Sequence, residues 1–101
     1  MALKIDANTW VYVLIQNPGT DDRIVGQMDT ENDIAFIPTF MDKEAANQGV
    51  LHMAKAKGNK YEIQAIIFDD LEAYAANGRF ILFVIDEDGK IIDKRAPFQS
   101  S

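Results

Sequence analysis

The side chains of this chain best suited to chemistry are carboxylates, and they gather around turns. Asp21, Asp22, Asp29, Glu31 and Asp33 crowd two acidic loops, 17–22 and 29–33. Oxygen ligands of this kind suit a hard cation such as Mg2+ or Ca2+. Turns also select aspartate for its ability to hydrogen-bond nearby backbone, which accounts for both loops without an ion. A further group, Asp86-Glu87-Asp88-Gly89, invites a calcium reading. An EF-hand loop with Gly89 at its sixth position needs acidic first and twelfth ligands, and this chain has Val84 and Arg95 there. Asp86 and Asp88 are therefore expected to be solvated hairpin residues that bind no metal.

Other chemistries find less support. The chain has no cysteine, which removes disulfides, thiolate metal sites and thiol nucleophiles. His52 is the single histidine and has no partner acid nearby in sequence. Ser100 and Ser101 are the only serines, so a serine-hydrolase triad has nowhere to form. Gly19, Gly26 and Gly49 match neither a Walker A loop nor a dinucleotide fingerprint. Asp69-Asp70 reads as helix capping. No catalytic residue, cofactor site or metal ligand is assigned. An enzyme would require residues such as His52, Asp69 and Tyr74 to converge in one pocket.

The elements that must position these groups follow from apolar patterning. Trp10-Val11-Tyr12-Val13-Leu14-Ile15 and Phe80-Ile81-Leu82-Phe83-Val84-Ile85 are uninterrupted apolar runs. A strand apolar at every position needs cover on both faces, because successive side chains point to opposite sides. The first strand, about 9–16, stops at Asn17-Pro18-Gly19-Thr20-Asp21-Asp22. A short strand follows at about 24–28, then a third at about 34–40. Pro38 lacks a ladder donor, so this third strand is expected at an edge or to stop pairing there.

A helix is expected from the N-cap Asp42, with Ala46, Val50, Met53, Ala54 and Lys57 on one face and Gly58-Asn59 as its stop. Lys55, Lys57 and Lys60 offer charge that could bind an anion, and more simply complement the helix C-terminus. Gly49 would allow close approach to the sheet. Tyr61 to Phe68 reads as a strand. A second helix, capped by Asp69 with Glu72 in a capping box, presents Leu71, Tyr74 and Ala75 and ends at Asn77-Gly78. The strand 80–85, an Asp-Gly turn and a short strand Ile91-Ile92 complete the order β-β-β-α-β-α-β-β.

The expected fold is α+β: a single domain, residues 1–101, with a mixed β-sheet of about five to six strands and two helices. Residues 1–8 and 94–101 are expected to be loose tails. If the sheet grows in one direction, right-handed crossovers put both helices on one face. The bare face would then bury itself in a homodimer, most simply a two-fold one. The interaction face this predicts is Trp10, Tyr12 and Leu14 with Phe80, Leu82 and Val84, or their alternating neighbours.

A net charge of −6 disfavours nucleic acid, whose phosphates it repels. No stretch approaches the roughly 20 apolar residues of a membrane helix, so no membrane partner is expected. Without a signal-like apolar start, a cytoplasmic location is the expectation.

The opening Val11-Tyr12-Val13-Leu14-Ile15-Gln16-Asn17-Pro18-Gly19-Thr20-Asp21 resembles the start of a small family of uncharacterised proteins, a domain of unknown function, from photosynthetic lineages. The likeness covers about residues 10–92 and implies a hairpin, an apolar strand leading to an acid-capped helix, a second such helix and a final strand. Phe36-Ile37-Pro38-Thr39-Phe40-Met41-Asp42-Lys43-Glu44-Ala45 resembles the strand-to-helix junction of the enhanced-serine-sensitivity (SseB) N-terminal domain. Neither resemblance implies a catalytic set. The functional expectation is a non-enzymatic protein-interaction or regulatory module, a homodimer with room for an unidentified protein partner. The alternative is a small-ligand or divalent-metal binding domain using loops 17–22 and 29–33.

Overall fold

The computed structural model describes residues 5–20, 22–86 and 88–97. The strands are β1 (Trp10–Gln16), β2 (Arg23–Ile24), β3 (Gln27–Asp29), β4 (Ile34–Phe40), β5 (Tyr61–Ile67), β6 (Ile81–Ile85) and β7 (Ile91–Arg95). The helices are α1 (Lys43–Gly49), extended by a 3-10 turn at Val50–His52, and α2 (Phe68–Gly78). Among the described residues one mixed sheet of seven strands results, and the α+β class holds. The extra strand arises because the expected segment 24–28 breaks into β2 and β3 around Val25-Gly26. No helix among the described residues is long and apolar enough to cross a membrane.

β1 lies between β5, which pairs it antiparallel along its whole length, and β4, which it meets at Tyr12 and Phe40. β4 and β6 run parallel, and β7 closes the far side antiparallel to β6. An extra residue in β7 shifts the register between Val84 and Ile85, leaving a β-bulge at Ile92. Pro38 lies in an interior strand and not at an edge, while the other expectation, that pairing stops there, holds on one side of β4. The proline is tolerated because the bridges on the β1 side of β4 fall at Phe36 and Phe40 and skip the residues between, while β6 pairs the other side.

The two helices cover opposite faces, which corrects the expectation of one covered face. The odd positions Val11, Val13 and Ile15 of β1 pack with Ile37, Leu82 and Val84 under Phe68, Leu71 and Ala75 of α2. The even position Tyr12 packs with Phe40, Ile63 and Ile85 under Ala45, Ala46 and Val50. The physical reason is strand order. β5 joins beyond β1, so the second crossover runs back along the sheet; two crossovers of one hand in opposite directions reach opposite faces.

Asp42 caps α1 as expected, its Oδ1 accepting from the Ala45 N–H at 2.7 Å. The helix is shorter than the apolar stripe suggests: Met53 is already extended, and Ala54 and Lys57 are exposed beyond it. Lys55 nevertheless closes the end, donating from Nζ to the Val50 and Met53 carbonyls. Gly49 lies against Phe40, and a Cβ there would come within 2.5 Å of the ring's Cζ.

α2 begins at Phe68, so Asp69 lies within its first turn and the Asp69–Glu72 capping box does not form. The N-terminal segment does that work, with the Phe68 N–H donating to the Thr9 carbonyl and the Asp69 N–H to that of Ala7. Ile5 is buried in the α2-side core, so residues 5–8 are not a loose tail, and β7 reaches Arg95, inside the other expected tail. The remaining tail residues, 1–4 and 98–101, lie outside the described residues. α2 ends through Arg79 in the left-handed conformation (φ 58°), one residue after the expected Gly78.

Candidate functional site

A cleft of about 470 Å3 opens on the α1 face. Its floor comes from alternate residues of β4, namely Phe36, Pro38 and Phe40, together with Ile85 of β6. Strand alternation aims the β4 trio the same way. Gln48, Gly49, His52 and Met53 form one wall, their spacing following a single side of α1 and its 3-10 turn. Asp86, Asp88 and Gly89 of the β6–β7 turn form the other, and Gln27 contributes from β3.

Several of these residues are fixed by hydrogen bonds. Gln27 donates from Nε2 to the Ala54 carbonyl and accepts from the Ala54 N–H, both at 2.9 Å, pinning the chain beyond the 3-10 turn. Asp86 Oδ1 accepts from the N–H groups of Asp88 and Lys90, both at 2.9 Å. Asp86 thus organises the turn and is half-buried, whereas Asp88 is exposed as expected. Phe36 stacks on Phe83 with ring centroids 4.4 Å apart. No sequence pattern pointed to the cleft, because its lining comes from separate elements, each with an ordinary local role.

The structure divides the six expected interaction residues. Trp10, Tyr12 and Leu14 belong to the even face of β1, with Trp10 57% exposed and Leu14 buried. Leu82 and Val84 are fully buried on the other face beneath α2. Phe80 packs against that same core with its ring between Gly26 and Gly78. The six therefore form no common surface; the opposite placement of the helices is the cause.

Two of the acidic-loop carboxylates, Asp22 and Asp29, are used internally. Asp22 Oδ1 accepts from the Gly19 N–H, and Asp29 accepts from the backbone and side chain of Asn32. The Asn32 side-chain hydrogen bond, foremost, holds the Asp29 carboxyl below its ordinary range. Asp21 and Glu87 lie outside the described residues. Among the described residues, no three histidines or carboxylates gather in a metal-holding group. His52, Asp69 and Tyr74 do not meet: His52 follows α1 on one face, and the other two belong to α2 on the opposite one.

The outer edge of β5 is the second candidate. β5 pairs β1 residue for residue from Tyr61 to Ile67, with no bulge, and among the described residues no strand pairs its other side. Natural edges are usually blunted by proline, lysine or a bulge. β5 carries none of these, and its single charge is Glu62. Exposed Trp10 lies beside it, opposite Ile67. No family model matches this chain, and no curated protein or solved structure compared with it does so either.

Proposed function

We propose that this protein is a non-enzymatic protein-interaction module that works through the open edge of β5, with a second copy of the chain as its first partner. The observation that carries this reading is a strand of seven residues without a bulge, whose outer side is paired by no strand among the described residues. A two-fold axis through Gln64, perpendicular to the sheet, would pair two such edges antiparallel and keep each face continuous. Ile63 would then oppose Ala65, Tyr61 would oppose Ile67, and the two Glu62 carboxylates would face Ile66 rather than each other. The homodimer thus rests on a sheet edge instead of a bare face.

Light scattering at high micromolar concentration tests the dimer, and the expected mass is that of two chains. Gln64→Lys would set two ammonium groups across the axis and give a monomer, while Gln64→Ala stays dimeric. A monomeric parent, or a Gln64→Lys variant as dimeric as the parent, overturns the reading.

A further inference from the structure

Neighbouring parallel strands whose chains leave in opposite directions open a crevice at their carboxyl ends, the usual ligand position in open α/β sheets. β4 and β6 are such a pair. After Phe40 the chain turns through α1 towards β5 beyond β1; after Ile85 it turns the other way into β7. The cleft lies at that divergence, and its volume of about 470 Å3 is that of a small-molecule site.

From this position and its lining we infer that the cleft binds a small organic amine, a flat apolar body bearing an ammonium group. Phe36, Pro38, Met53 and Ile85 supply apolar surface for the body. Among the described lining residues there is no lysine or arginine, whereas Asp86 and Asp88 bring two carboxylates to one wall. The N–H groups of Asp88 and Lys90 hold the Asp86 oxygen in place before any ligand arrives, so its charge needs little reordering on binding. The Phe36 ring is held by its stack on Phe83, and an ammonium is attracted to an aromatic face. An anion of the same shape would face the two carboxylates of that wall; the Lys94 ammonium on this face lies over the Phe83 ring, behind the stack.

The experiment is an amide NMR titration of isotope-labelled protein with benzylamine, using benzyl alcohol and benzoate as neutral and anionic counterparts. Benzylamine should give saturable shifts at His52, Met53, Asp88 and Gly89. It should bind about tenfold tighter than benzyl alcohol, the scale of one charge-assisted contact, and benzoate should not bind. Asp86→Asn keeps an oxygen for the two N–H donors and removes only the charge; it and Asp88→Asn should each weaken benzylamine severalfold while the distant amide signals stay in place. Absence of saturable shifts at those four residues overturns the site. Equal binding of all three probes, or unchanged affinity in both variants, overturns the assignment of an amine.

Discussion

On the α2 side of the sheet, Val11, Val13, Ile37, Leu82 and Val84 lie fully buried under Phe68, Leu71 and Ala75; on the α1 side, Trp10 is 57% exposed and a cleft reaches in to Phe40. The covering helices differ in length, eleven residues against seven. At about 1.5 Å per residue these span roughly 16 and 10 Å. By strand order the α2 connection passes over β1 and β4 and the α1 connection over β1 alone, and Leu71 and Phe68 fill the space beneath α2. The shorter one presents Ala45, Ala46 and Gly49, which bring its backbone close but cover little. One sheet therefore has a sealed face and an open one, and the surfaces available for binding belong to the open side and its edge.

The sharpest way to break this contrast is Leu71→Ala. A fully buried leucine in the sealed core should cost about 2–5 kcal/mol, measured by denaturant unfolding. A loss below about 1 kcal/mol would mean that the sealed side relaxes as easily as the open one. Gly49→Leu probes the open side at its tightest point, against Phe40. Overpacking should cost about 1–3 kcal/mol despite better helix propensity, and a variant that melts above the parent would show α1 free to lift away.

Asp42→Ala removes the one side-chain cap of α1 and should cost about 1 kcal/mol. Because α2 is capped by backbone carbonyls of Ala7 and Thr9, Asp69→Ala should have a clearly smaller effect in the same assay. The smallest expected effect lies at the β3–β4 turn. The Asp29 carboxyl is held below its ordinary value of 3.8, so its contribution is present above the unfolded value and is lost as pH falls through the folded one. Melting temperatures of Asp29→Asn and the parent should differ slightly above about pH 4 and converge in stronger acid. A gap that persists in acid would show that the carboxylate's charge is not what Asn32 recognises.

Local patterns in the sequence reveal local structure. The apolar runs of β1 and β6, the Asp42 cap and the Leu71-Tyr74-Ala75 stripe are all visible there, because each depends on neighbours a few residues away. The position of β5 beside β1 depends on pairs such as Trp10 with Ile67, far apart in the chain, and nothing local announces them. From that single unknown follow the face each helix covers, the split of Trp10 from Leu82, and the open edge. α1 looked longer because Ala54 and Lys57 continue its period; extended backbone at Met53 and the Gln27 bonds to Ala54 override that period. The cleft was illegible for a similar reason, since Phe36 reads as strand, His52 as helix and Asp88 as turn until the fold brings them together.

Phe80 leaves a different kind of mark on the chain. Its ring fills the space that a Cβ on Gly26 or on Gly78 would occupy, within 2.7 and 2.5 Å respectively, and it lies parallel to Tyr74. Three positions, one of them far from the other two in sequence, thus share one volume, and their substitutions cannot be independent. Alanine at 26 or 78 should be harmful while the phenyl ring is present and far better tolerated once position 80 carries a smaller side chain. A lineage that loses the ring is thereby released to lose the glycines, but the reverse order is obstructed, so descent through these three sites has a preferred direction.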